Sequence, residues 1–118
     1  MTMTKFLYLF HSNPELLKAA SPEEMERLMK AWMKWTDELQ KAGHLTQLGQ
    51  RLEPRGKMVR GKGKDKTVTD GPFAEAKDTI GGYLIVEAAD LDQAVELSKG
   101  CPIFELDGAV EVRPVIPR

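Results

Sequence analysis

Asp70 lies in Thr69-Asp70-Gly71-Pro72-Phe73-Ala74-Glu75, where a carboxylate has two possible kinds of work. At a strand end it can accept a proton or hold a substrate amine or hydroxyl. It can equally cap the backbone N–H groups around Gly71, Phe73 and Ala74. The surrounding residue types are those of a turn: Asp bonds its own backbone, Gly tolerates positive φ, and Pro pre-sets it. Proton transfer normally needs a second group, and the chain offers few. His11 ends the first apolar run; Glu75 and Lys77 follow Pro72; Glu111 and Arg113 alternate with valines in the last. In the site these residues would make, Asp70 is the base and Arg113 the anion clamp, with Phe73 and a tryptophan as the apolar wall. Glu111 and Arg113 either form a structural ion pair or line a polar pocket.

Other chemistries fit less well. Gly56-Lys57-Met58-Val59-Arg60-Gly61-Lys62-Gly63 approaches a phosphate loop, but Gly63 stands where Ser or Thr should hold magnesium, and no helix pattern follows. Two distant histidines and a single cysteine, Cys101, offer no metal spacing. No cofactor is expected. Cys101 follows a helix end, where nothing depresses a thiol pKa. The basic stretch from Arg51 to Lys66 has no aromatic residue to stack on bases, so nucleic-acid binding is the least favoured reading.

The elements that must position these residues are legible. Phe6–Phe10 reads as a strand, and Leu16–Ala20 as a helical turn. Ser21-Pro22-Glu23-Glu24 starts a long helix with N-cap, Pro and capping box in register. Met25, Leu28, Trp32, Trp35 and Leu39 form its apolar stripe, and Gly43 ends it. Trp32 and Trp35 cannot both be central, so one is expected in the core and the other at its flank, edging a cleft. Met29, Met33 and Met58 are expected as core or interface filler; His44, after the helix end, is expected to be exposed. Leu45–Leu52 reads as a second strand, weakened by Gly49. A small hairpin brackets Gly61–Asp65, followed by a strand over Ile80–Glu87. Asp90 caps a second helix that ends at Gly100, and Ala109–Val115 is the last strand. Gly81-Gly82 points to a bulge or a close backbone approach. Without the small hairpin the order is β-α-β-β-α-β, an α+β ferredoxin-like domain, with no linker or repeat.

Two helices cover one sheet face, yet both faces are apolar. Phe6, Tyr8 and Phe10 alternate with Leu7 and Leu9, and Tyr83 and Ile85 with Leu84 and Val86. A sheet half open to water would alternate with polar residues. A second copy is the expected cover, with Glu111 and Arg113 facing it and Val110 and Val112 facing the helices.

Thr69–Glu75, Gly81-Gly82-Tyr83 and Glu111-Val112-Arg113-Pro114-Val115 together resemble the DGPF-type branch of the YCII-related proteins, from Lys5 to Val115. The resemblance implies a ferredoxin-like domain that dimerises into an α/β barrel. It also implies a histidine on the first long helix paired with the Asp70-equivalent carboxylate. Here Trp32 falls near that position and no histidine lies between Ser12 and Gly43, which argues against the paired mechanism. Genes of similar proteins often neighbour those of extracytoplasmic-function sigma factors, so the resemblance also allows a non-catalytic regulatory or accessory role.

The expected function is binding of a small polar or anionic metabolite in a dimer-interface cleft, with or without cofactor-free acid/base chemistry. The chain has 118 residues and a net charge of −1, so no global field draws it to nucleic acid or anionic membrane. Its N-terminal residues do not read as a signal peptide, and no apolar run reaches the ~20 residues that cross a bilayer. With one cysteine, a cytoplasmic setting is expected.

Overall fold

Ser21 Oγ accepts the Glu24 N–H at 3.1 Å and Pro22 takes the first helical position, as the capping sequence requires. The computed structural model describes residues 2–71 and 79–118. The helix so started, α2 (Pro22–Lys41), follows strand β1 (Thr4–Ser12) and a short helix α1 (Pro14–Ala19) capped by Asn13. Then come β2 (Leu45–Gln47), the hairpin β3 (Gly56–Lys62) and β4 (Asp65–Gly71), β5 (Thr79–Ala88), α3 (Leu91–Ser98), a 3₁₀ turn (Pro102–Leu106) and β6 (Ala109–Pro114). The 3₁₀ turn has no counterpart in the helix and strand periodicities.

The main sheet is antiparallel with strand order β2-β5-β1-β6, the ferredoxin-like arrangement, while β3 and β4 pair as a separate ribbon. Phe6, Tyr8 and Phe10 of β1 and Leu84, Val86 and Ala88 of β5 meet Trp35 and Leu39 of α2, Ala94 of α3, Cys101 and Ile103 in one core. Tyr8 stacks on Trp35 with ring centroids 6.2 Å apart, and its hydroxyl donates to the Ala94 carbonyl, tying β1 to α3. Burial, and secondarily the like charge that a Cys101 thiolate would place nearby, hold the Tyr8 phenol protonated well above its usual pKa. Val110 and Val112 pack against the same core, so Glu111 and Arg113 fall on the opposite face. On that face Leu7, Leu9, Tyr83 and Ile85 are only half-buried.

The expected second strand is shorter than the apolar pattern suggested. Leu45–Gln47 pairs with β5, the regular ladder breaks at residues 48–50, which stay against β5, and a bridge re-forms between Arg51 and Gly82. Both readings of Gly81-Gly82 hold. The β1–β5 register slips at Gly81, and a side chain on Gly82 would crowd the Gln50 carbonyl at 3.0 Å.

Candidate functional site: an apolar cleft at the sheet edge

Gly49 lets the chain after β2 form a wall. Its φ is +74°, and a Cβ there would overlap the Tyr83 carbonyl, so only glycine brings this backbone onto β5. Tyr83 N–H donates to Gln50 O at 3.2 Å and Leu52 N–H to Gly81 O at 2.8 Å, pinning the segment on both sides of the Arg51 bridge. With its backbone anchored, the segment holds Leu48 and Leu52 at the surface, Leu48 being 63% exposed.

Opposite this wall, α2 presents Met25, Met29, Trp32 and Met33, a row at helical spacing. Phe10 and Leu84 form the floor, and Pro14, Leu17 and Lys18 border one end. The half-open cleft measures about 650 Å³, a volume suited to a small organic ligand. Trp32 is its central aromatic residue, standing edge-on to Phe10 with centroids 4.9 Å apart. Trp35 lies behind it in the core, where its indole N–H donates to the Leu97 carbonyl at 3.1 Å. One tryptophan is therefore core and the other borders the cleft.

Polar groups are few and sit at the margins: Ser12, Thr36, Gln50, Thr79, Arg51 and Lys18. Thr36 Oγ1 is committed to the Trp32 or Met33 carbonyl, both at 3.1 Å. Arg51 and Lys18 form no ion pair among the described residues. No carboxylate, imidazole or thiol lines the cleft among the described residues.

The residues expected to share a site are dispersed. Asp70 stands at the end of strand β4; its carboxylate accepts from Lys57 Nζ at 2.7 Å, and its side chain is 86% exposed. Arg113 and His11 lie on the main sheet instead, so one chain does not bring Asp70 and Arg113 onto the same sheet. His11 Nε2 lies 2.8 Å from Glu111 Oε1, and Arg113 Nε stands 3.8 Å from Glu111 Oε2. Glu111 thus chiefly partners His11, and the three form a polar cluster on the half-open sheet face. Phe73 and Lys77 lie outside the described residues.

Other expectations need correction. Met29, Met33 and Met58 do not fill the core of the single chain, although an interface between copies stays open to them: α2 turns only its Leu28, Trp35 and Leu39 side fully inward, and Met58 lies on the exposed β3 strand. His44 is half-buried: its Nδ1 lies 2.7 Å from the Glu87 carbonyl, where the helix end returns to β5. Burial raises the Cys101 thiol to about 12, well away from nucleophilic use. Among the described residues no group of His, Cys, Asp and Glu is placed to hold a metal ion. Nor is any described helix long and apolar enough to cross a membrane.

Sequence reasoning missed Leu48, Leu52 and Arg51 as site residues. Their signal is present in Leu48-Gly49-Gln50-Arg51-Leu52, where glycine interrupts two leucines before Pro54. It reads as a damaged strand unless the partner backbone is known.

Comparison with known proteins agrees with the fold. Residues 4–118 match the model of the YCII-related domain. The chain is similar to uncharacterized protein R00369 of Rhizobium meliloti (strain 1021), 29% identical over 113 residues, covering 93% of this chain and 90% of that protein.

Proposed function

The chain belongs to the YCII-related family, and from that starting point we propose that it binds a small amphipathic anion in the cleft between α2 and residues 48–54. The observation that carries this reading is the lining: an apolar trough around Trp32, Met29 and Leu48 with two cations, Arg51 and Lys18, at its edge. Such a surface favours an aromatic or aliphatic body with one carboxylate or similar head over a uniformly polar metabolite. Binding is favoured over acid/base catalysis because no carboxylate, imidazole or thiol is among the described lining residues. Asp70 as a base would require a second copy to bring its ribbon to the cleft.

The half-buried row Leu7, Leu9, Tyr83 and Ile85 supports a homodimer in which a second copy covers this face. His11, Glu111 and Arg113 would then lie between the two sheets. A sigma-factor-linked role finds no specific support in the geometry, and neither does nucleic-acid binding.

Anilinonaphthalene sulfonate, an aromatic anion, and its neutral relative N-phenylnaphthylamine test the cleft by fluorescence titration. Trp32→Ala is expected to weaken both probes. Arg51→Glu is expected to weaken the sulfonate by roughly tenfold while sparing the neutral probe, as loss of a charge-assisted contact does. If both variants bind both probes as the parent does, the cleft is not the site.

A further inference from the structure

Every residue of the β3–β4 ribbon from Gly56 to Asp70 is exposed, so both faces of the ribbon lie open within one chain. A lone two-stranded hairpin is marginal in water and gains stability only by packing on something. The ladder sets Val59 directly opposite Val68, each 57% exposed, with Lys66 on the same face two pairs further on. Around this apolar spot the charge is one-sided: residues 55–66 carry six Lys or Arg against Asp65 alone.

The opposite imbalance lies elsewhere in the chain. Residues 87–107 carry six Asp or Glu against Lys99 alone. Within them, α3 exposes Leu91 and Val95 one helical turn apart, with Asp92 and Glu96 beside them. Lys99 Nζ holds Glu96 at 2.6 Å, whereas Asp92 has no ion pair among the described residues. The two patches match in kind: an apolar pair with basic neighbours, and an apolar pair with acidic neighbours.

We infer that the β3–β4 ribbon docks on α3 of a second copy of this chain, with Val59 and Val68 against Leu91 and Val95 and Lys66 facing Asp92. The occupant is a second copy because one sequence carries both halves of the complementarity and the ribbon, being fully exposed, does not rest on its own α3. In a two-fold pair each exchange is made twice, doubling the gain from one modest contact. This contact is independent of the proposed cleft and of any covering of the open sheet face.

Sedimentation of the full chain over a concentration series tests it. Lys66→Asp and Asp92→Lys are each expected to raise the self-association dissociation constant about tenfold, and the double exchange to restore most of the loss. Val59→Asp is expected to weaken association whatever the salt. All three positions are exposed, so unchanged far-ultraviolet circular dichroism at room temperature should accompany these effects. The inference is overturned if every variant associates as the parent does, or if the double exchange is no better than either single one. It is equally overturned if duplex DNA binds the ribbon with steep salt dependence while self-association ignores these substitutions.

Discussion

Trp35→Ala is expected to cost about 3–5 kcal/mol of folding stability, a large share of the roughly 5–15 kcal/mol that holds a typical domain together. Trp35 is only 6% exposed, stacks on Tyr8 and meets Phe10 edge-on at 6.2 Å. Its removal opens a void that rigid β1 side chains cannot collapse into, and it strips the Leu97 carbonyl of its donor. Urea unfolding followed by circular dichroism measures the loss. Trp35→Phe keeps most of the packing but not the N–H donor. It should fall between parent and alanine, with a deficit of about 1–3 kcal/mol. A change below about 1 kcal/mol in the alanine variant would mean that this indole is not a keystone of the core.

Gly49→Ala is the second large effect, and it reaches both stability and the cleft. An alanine here must hold φ near +74° and also clear the Tyr83 carbonyl, so the backbone has to leave β5. Gly43 is the natural control: its φ is +81°, yet a Cβ there meets nothing within 4 Å. Gly43→Ala should therefore cost only the left-handed penalty, about 1–2 kcal/mol, and Gly49→Ala at least about 2 kcal/mol more. Because the displaced segment carries Leu48, Arg51 and Leu52, Gly49→Ala should also weaken anilinonaphthalene sulfonate binding, while Gly43→Ala leaves it intact. Equal stabilities for the two variants would show that the segment does not depend on close approach to β5.

These two positions differ in how readily the sequence reveals them. Periodicity puts Trp35 on the apolar stripe of α2 with Leu28 and Leu39, although it leaves open which of Trp32 and Trp35 takes the core. Gly49 carries no such signature: in one dimension it is a glycine in a weak strand, and its reason lies on β5. Asp70 is legible only in part. It stands at the end of β4, as the extended run over residues 66–69 before the Asp-Gly-Pro motif implies, but only the ladder shows it opposite Lys57; residues 72–75 lie outside the described residues.

Local rules were enough for the framework. Caps at Ser21 and Asp90, the stop at Gly43 and the alternation in β1, β5 and β6 depend on neighbours within a few residues, so they determine the element order, the ferredoxin-like arrangement and which valines meet the helices. The folded chain decided what no local rule contains: that His11 meets Glu111 across 100 residues, that Asp70 and Arg113 sit on separate sheets, and that Trp32 borders a cleft walled by Leu48 and Leu52. Periodicity records which side of an element turns inward. Which distant backbone it then meets depends on register and close approach, and those exist only once the strands have paired.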